Sequence, residues 1–273
     1  MENYHIGIIG NRESWASQQL QHAFCVHGIE PEFGDASLFK AKIGEKCDIS
    51  CSGISFSDMD LVLVRTIPSG SLEQIECRVD HLYHLEGNGV CLINAPDAVK
   101  KMVDKYRTSF LLTESGLRVP ETVVVETPKD AIEAFNWLGG DVVLKPVFGS
   151  RGAGIVRLTD SEVALRTFDA LTLGGYVYYL QRFIPHGNRD FRIMIVGDKM
   201  VASMQRCSDT WKTNLSKGGK PQGYQPSSEI SALAQKAARI VDADYCGVDV
   251  MAGEDGLLYI LEVNGADSGE TIH

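Results

Sequence analysis

The sequence has no apolar run near the roughly 18 residues that a membrane-spanning helix needs, and none of its seven cysteines stands in a CxxC pair. The opening MENYHIGIIG lacks the basic segment, apolar stretch and cleavage site of a signal peptide. Both absences predict a cytoplasmic protein with no membrane partner. Cys47 and Cys51 are the nearest cysteine pair and have no histidine at ligand spacing, so the thiols are expected to be reduced and structural. An excess of positive charge is also missing: 26 Lys and Arg against 36 Asp and Glu leave a net charge of −10, which argues against a nucleic-acid partner. GIIGNRES near the start lacks GxGxxG, and no acidic residue ends a convincing second strand, which excludes a dinucleotide site. No GxxxxGK[ST] opens a helix, which excludes a Walker loop, and no Ser-His-Asp or Cys-His arrangement offers a protein nucleophile.

What is present is an ordinary globular composition. The chain has 273 residues, 44% of them hydrophobic, enough for two or three compact units. Residues 1–96 are expected to form a small open α/β unit. Its strands are predicted over 4–10, 60–65 and 90–94, and its helices over 14–27 and 71–85. Ala95-Pro96 breaks that pattern. Asp97 then caps a helix predicted to run unbroken to Ser115, a strand follows over 122–126, and Pro128 opens another helix. The strand 141–147 runs into Phe148-Gly-Ser-Arg-Gly-Ala-Gly154 and returns over 155–158, so the glycine-rich segment reads as a hairpin tip. Residues 210–228, rich in Gly, Ser, Pro and Lys, are expected to form a lid or binding loop.

Two patterns carry chemistry. In GVDVMAGEDGLLYILEVN the alternation places Asp249, Glu262 and Asn264 on one face of a hairpin, with Val248, Val250, Leu261 and Val263 on the other. Two carboxylates and an amide oxygen suit a magnesium ion that keeps room for a polyphosphate. Upstream, Gly149, Gly152 and Gly154 allow backbone N–H groups to approach phosphate oxygens; Ser150 adds a hydroxyl and Lys145 an ammonium. Between Arg182 and Lys220 eight basic residues face three acids, a local basic zone suited to a small anionic ligand.

The order of parts then resembles a known family. Asp104-Lys105, Lys145-Pro146, the glycine hairpin, the run Leu180-Gln-Arg-Phe-Ile-Pro185, Arg189-Asp-Phe-Arg192, Arg206 and the closing D…ExN resemble the ATP-grasp superfamily, and within it the RimK-type α-L-glutamate ligases. The resemblance implies an α/β fold: a pre-ATP-grasp domain over 1–96, a central lobe with a glycine-rich lid over 97–178, and a C-terminal lobe with the magnesium site over 179–273. It implies that Lys105, Lys145, Gly149, Ser150, Gly152 and Gly154 hold ATP phosphates. Gln181, Arg182, Phe183 and Ile184 would meet the adenine, with a side-chain contact from Gln181, and Asp190 would line the ribose and triphosphate. Arg192, Arg206 and Asn214 would act at the reaction centre, and Asp249, Glu262 and Asn264 would bind two magnesium ions, for which manganese could substitute.

The implied activity is that of a carboxylate-amine ligase. A substrate carboxylate takes the γ-phosphoryl group, and an amine then displaces phosphate from the acyl-phosphate, so that L-glutamate joins a glutamylated coenzyme or another acidic acceptor. A ligase of another amino acid or of a protein tail (a ribosomal protein or amino-group carrier), or a catalytically silent ATP-binding regulator, would share these motifs. The family also implies a possible homo-oligomer. His186, in a loop after proline, reads as structural rather than as a proton acceptor. Nine residues follow Asn264, fewer than the turn and helix common in the family, and Asp267 and Glu270 among them would oppose an anionic acceptor.

Overall fold

A computed structural model describes residues 4–45, 47–149 and 152–265. The leading unit is built on a parallel sheet in the order Glu32–Gly34, Ile6–Ile9, Leu61–Val64, Cys91–Ile93. Ser14 caps the helix Trp15–Val26, and a reciprocal capping box of Ser71 and Gln74 starts the helix Leu72–Gly87. The apolar runs thus become strands, each shorter than the pattern predicts. Glu32–Gly34 and a small antiparallel sheet of Lys40–Lys42, Asp48–Cys51 and Ile54–Ser55 had no such signature. KAK is exposed throughout and only Ile49 and Cys51 of the next strand reach the core, too little for a readable period. An acid does follow the second strand: Asp35, whose carboxylate caps the turn Ala36–Leu38 by accepting from the Ser37 N–H at 2.8 Å and its hydroxyl at 2.6 Å.

The helix expected as one piece from Asp97 to Ser115 is two, Pro96–Val103 and Lys105–Glu114. Asp104 is the cause. Its backbone is extended (φ −102°, ψ 102°), and its side chain accepts from the Arg107 N–H at 3.0 Å, so it ends one helix and caps the next. Both helices pack on the last sheet of the chain. Ala98, Met102, Leu112 and Leu117 join the core formed by Ile193, Val248, Val250 and Val263, beneath the helix Ser228–Ile240.

The middle sheet is antiparallel, in the order Val156–Leu158, Val142–Lys145, Tyr178–Arg182, Thr122–Val125. The helices Pro128–Trp137 and Ser161–Thr172 cover it with Ala131, Phe135, Ala164 and Phe168, and the Phe168 and Tyr178 rings meet edge to face at 5.4 Å. The last sheet, also antiparallel, runs Lys220–Gly223, Lys199–Cys207, Arg189–Val196, Tyr245–Ala252, Leu258–Asn264. These cores divide the chain differently from the expected limits. The strand Tyr178–Arg182 belongs wholly to the middle sheet, so the change of lobe falls after it and not at 178, and the helical pair after Ala95 sits with the last lobe. No described helix is long and apolar enough to cross a membrane.

Asn94 ties the leading unit to the last sheet. It is fully buried; its Nδ2 donates to the Tyr245 carbonyl at 2.9 Å, and its Oδ1 accepts from the Tyr245 N–H at 3.0 Å. The Tyr245 hydroxyl donates in turn to the Val64 carbonyl. Asn94→Ala would orphan two buried backbone groups, and urea denaturation is expected to show a loss of ~2–6 kcal/mol. A loss within experimental error would mean that water or a shifted strand replaces both bonds.

Candidate active site

The D…ExN pattern is positioned by register. Asp249 lies opposite Glu262, and Gly247 opposite Asn264, so the three polar side chains share one face while Val248, Val250 and Val263 enter the core. Leu261 departs from the expected alternation. The register shifts after Asp249, so that Val250 pairs with Ile260 and leaves Leu261 as the extra residue of a bulge. Ile260 takes the core position, and Leu261 packs beside Ile184, Met251 and Tyr259, facing the cleft between the two antiparallel sheets.

That face holds a network of opposite charges. Arg192 lies opposite Asp249 and binds it through two parallel bonds of 2.7 and 2.8 Å. Arg206, opposite Asp190, grips that carboxylate at 2.8 and 2.5 Å and reaches Asp249 at 3.0 Å. Thr213 adds a hydroxyl bond to Asp190 at 2.8 Å. All four charged groups are buried. Burial alone would raise the Asp249 pKa, but Arg192 and Arg206 outweigh it and hold the carboxyl well below its ordinary value. Burial likewise opposes the charge of Arg206, and Asp249 and Asp190 overcome it, raising its pKa. Desolvation offsets much of the attraction in such pairs, so the network orients groups more than it stabilises the fold.

Two lysines reach the same place, Lys105 from a helix packed on the last sheet and Lys145 from the middle sheet. The second helix begins at Lys105 because Asp104 caps it, and Lys105 Nζ then donates to the Gly149 carbonyl at 2.5 Å and pairs with Glu262 at 3.1 Å. Lys145, at the end of its strand, donates to Gln181 Oε1 at 2.5 Å. Desolvation lowers its pKa to about 8, against the opposing pull of the Glu262 carboxylate. Gln181 is buried, and its amide nitrogen donates to Thr122 at 3.0 Å and to the Tyr179 hydroxyl at 3.3 Å, so its side chain serves Lys145 and the sheet.

The glycine hairpin touches the loop after Cys207. Gly152 has φ +67°, and a Cβ there would lie 2.7 Å from Asn214 Oδ1; Lys212 Nζ donates to the Ile155 carbonyl at 2.8 Å. Ser150, also expected there, lies outside the described residues, as do Asp267 and Glu270. Phe183, Ile184, Trp211, Met251 and Leu261 form the apolar end of the cleft. Arg157 lies 3.5 Å over the Phe183 ring, held by Asp141. Arg182 pairs with Glu121 at 2.5 Å. The N–H groups of Arg182 and Phe183 already donate to Glu121 and Asp141. His186 is buried with both ring nitrogens against backbone carbonyls, Nδ1 at 2.8 Å from Ile184 and Nε2 at 3.1 Å from Trp211, which makes it a pin for the loop.

The basic zone expected between Arg182 and Lys220 is not one surface. Arg182, Arg192 and Arg206 are each matched to carboxylates, while Lys199 stands exposed at a hairpin turn. Charge counted along the chain had no knowledge of acids brought in from Glu121 and Asp249.

A second cavity, for which the sequence held no motif, adjoins the first. It lies between the leading unit and the last sheet, walled by Ile67, Pro68, Ile75, Val103, Phe148 and Leu215. Arg206, Asn214 and Glu262 line both cavities. Its walls come from segments scattered between Val64 and Gly265 with no shared spacing; Trp211 and Thr213 of the first cavity, also missed, had only an aromatic in a polar loop as a signal.

The donor set fits magnesium. Among the described residues no three His, Cys, Asp or Glu side chains gather; the Glu262 carboxylate stands opposite Asp249, and the Asn264 amide lies two residues further along the same face. The arginines already engage both Asp249 oxygens, so Glu262 and Asn264 are the freer donors.

A family model for the RimK-like ATP-grasp domain matches residues 102–273. The chain is 33% identical to the tetrahydromethanopterin:alpha-L-glutamate ligase of Methanosarcina acetivorans, over 98% of this chain and 93% of that one. It is 34% identical to the protein of the same name from Methanococcus maripaludis, over 97% and 91%. A solved RimK domain ATP-grasp protein from Sphaerobacter thermophilus shares the fold, with a TM-score of 0.76 at 19% identity over 96% of this chain and 92% of that one. With lysines, paired arginines and oxygen donors converging where two cavities meet, and likeness extending over nearly the whole chain, the protein belongs to the RimK-like ATP-grasp family and is an amide-forming ligase that uses ATP and a magnesium-type metal.

Proposed function

We propose that the protein joins L-glutamate to the carboxyl end of a glutamylated coenzyme of the pterin type. The observation that carries this reading is the sharing of Arg206, Asn214 and Glu262 by two adjoining cavities, of which this reading gives the first to the nucleotide and the second to the acceptor. The names of the relatives, tetrahydromethanopterin:alpha-L-glutamate ligases, support the substrates.

In this reading the adenine lies between Phe183, Ile184 and Leu261. With the Arg182 and Phe183 N–H groups engaged, that of Ile184 is the donor left for the base edge. Lys105 and Lys145 neutralise phosphate oxygens beneath the Gly149 and Gly152 lid, and Asp190 holds Arg206 in register. Glu262, Asn264 and Asp249 would hold magnesium, which when bound neutralises phosphate charge. Two ions, with manganese as a substitute, belong to this reading, as do a cytosolic setting and a homo-oligomer. The acceptor carboxylate approaches through the second cavity and takes the phosphoryl group beside Arg206, whose guanidinium is aligned in advance for the charge that develops there. Glutamate then attacks the acyl-phosphate through its amine, phosphate leaves, and Asn214 lines the place where they meet.

Glu262→Gln keeps side-chain volume and removes one charge from the metal shell. Glutamate-dependent ADP release with a glutamylated pterin is expected to fall by about 100-fold or more, while the thermal midpoint stays within about 2 °C, because the ion pair lost with Lys105 is partly exposed. Unchanged turnover at saturating magnesium would refute this metal assignment.

The depressed pKa of Lys145 has a readable sign. The ammonium loses its proton as pH rises through about 8, so ATP affinity of the wild-type protein is expected to weaken above that pH. In Lys145→Ala, affinity should be lower and flat across the same range. Calorimetric titrations with ATP between pH 6.5 and 9.5 check this, and a parallel pH slope in both proteins would remove Lys145 from the phosphate site.

A further inference from the structure

Arg78 lies on the helix Leu72–Gly87, outside both cavities, and is only 8% exposed. A buried guanidinium ordinarily takes a carboxylate partner. Among the described residues none stands within ion-pair distance of Arg78; instead its Nη1 donates to two backbone carbonyls, Pro68 at 2.6 Å and Ser69 at 3.2 Å. Those carbonyls belong to the connection Thr66-Ile-Pro-Ser-Gly70, which leaves the carboxyl end of the strand Leu61–Val64 and forms one wall of the second cavity, across from Arg206, Asn214 and Glu262. Carboxyl ends of parallel strands are where open α/β sheets meet their ligands.

The two ends of this connection are tied by their own amides. The Arg65 and Thr66 N–H groups donate to the Ile9 carbonyl at 2.9 and 3.2 Å, and the Ser71 N–H donates to Gln74 at 2.9 Å. Its middle has no such tie, since Pro68 carries no N–H and the two carbonyls take only the guanidinium. Gly70 shows how close the contact is: a Cβ there would lie 2.6 Å from Gln74 Oε1 and 3.0 Å from Arg78 Nη1.

We propose that Arg78 is a positioning residue for the acceptor, holding the Thr66–Gly70 wall through the Pro68 and Ser69 carbonyls so that the acceptor carboxylate is presented to Arg206 and Asn214. The inference rests on assigning the second cavity to the acceptor. Arg78 touches neither substrate, and the nucleotide cleft is lined by other elements, so acceptor recognition depends on it and ATP binding does not.

The test is steady-state ADP release with ATP, glutamate and a glutamylated pterin for wild type, Arg78→Met and Arg78→Lys. Arg78→Met keeps an apolar stem without the donors and is expected to raise the acceptor KM about tenfold or more, with the ATP KM changed by less than about twofold; Arg78→Lys, still a donor, recovers part of the loss. Equal changes in both KM values, or none in a folded Arg78→Met protein, would overturn the proposal. If wild type turns over no acceptor, the functional reading fails instead, and hydrogen exchange decides the positioning role. The Thr66 and Ser71 amides are expected to exchange about tenfold faster or more in Arg78→Met, with the amides of Lys105–Glu114 unchanged. Unaltered exchange at Thr66 and Ser71 sinks the idea. Should Arg78→Met not melt cooperatively, Arg78→Lys carries both measurements, with smaller shifts in the same directions expected and unshifted values counting against it.

Discussion

The carboxylate of Asp249, held between two arginines, is the contact on which the rest of the site depends. Arg192 reaches it along two bonds and Arg206 from the next strand, and Arg206 is oriented in turn by Asp190. Each partner is fixed by the ladder of one antiparallel sheet, Asp190 facing Arg206 and Arg192 facing Asp249. Fork and carboxylate meet in the bidentate geometry that lysine cannot reproduce. Removing any one member would leave a buried charge uncompensated, so the four groups hold one arrangement between them.

Preorganisation of this kind suits a reaction with no protein nucleophile. Charge builds on a group in transfer, and donors that are already aligned and dry stabilise it without reorganising at that moment. The lysines are held more loosely than the arginines. Lys105 rests on the Gly149 carbonyl and on Glu262, and Lys145 on a neutral amide, and in the proposed function each exchanges its present partner for a phosphate oxygen. The proposed functions of these groups follow that difference in partners.

Local breaks in regular structure aim the groups. Asp104 interrupts what would be a single helix and starts a second one at Lys105, whose side chain then meets both the Gly149 carbonyl and the last sheet. A bulge after Asp249 sends Ile260 into the core and turns Leu261 toward the cleft. Residue 152 is glycine because its φ is +67° and a Cβ there would lie 2.7 Å from Asn214 Oδ1. In each case a departure from the regular pattern places a side chain that the pattern would have buried or pointed elsewhere.

The sequence by itself determined the strands with strong periodicity, the glycine hairpin, and the shared face of Asp249, Glu262 and Asn264, because period-two alternation and turn chemistry are local properties of the chain. Motif order was enough to mark the family. Tertiary structure alone decided that Arg192 and Arg206 spend their charge on Asp249 and Asp190, that Gln181 supports Lys145, and that the helices after Ala95 pack on the last sheet. It alone brought Ile67, Val103, Phe148 and Leu215 together as a second cavity and set Arg78 behind its wall. These outcomes join positions tens to more than a hundred residues apart, and the spacing of residues along a strand or helix carries no record of which distant surface will be folded against it.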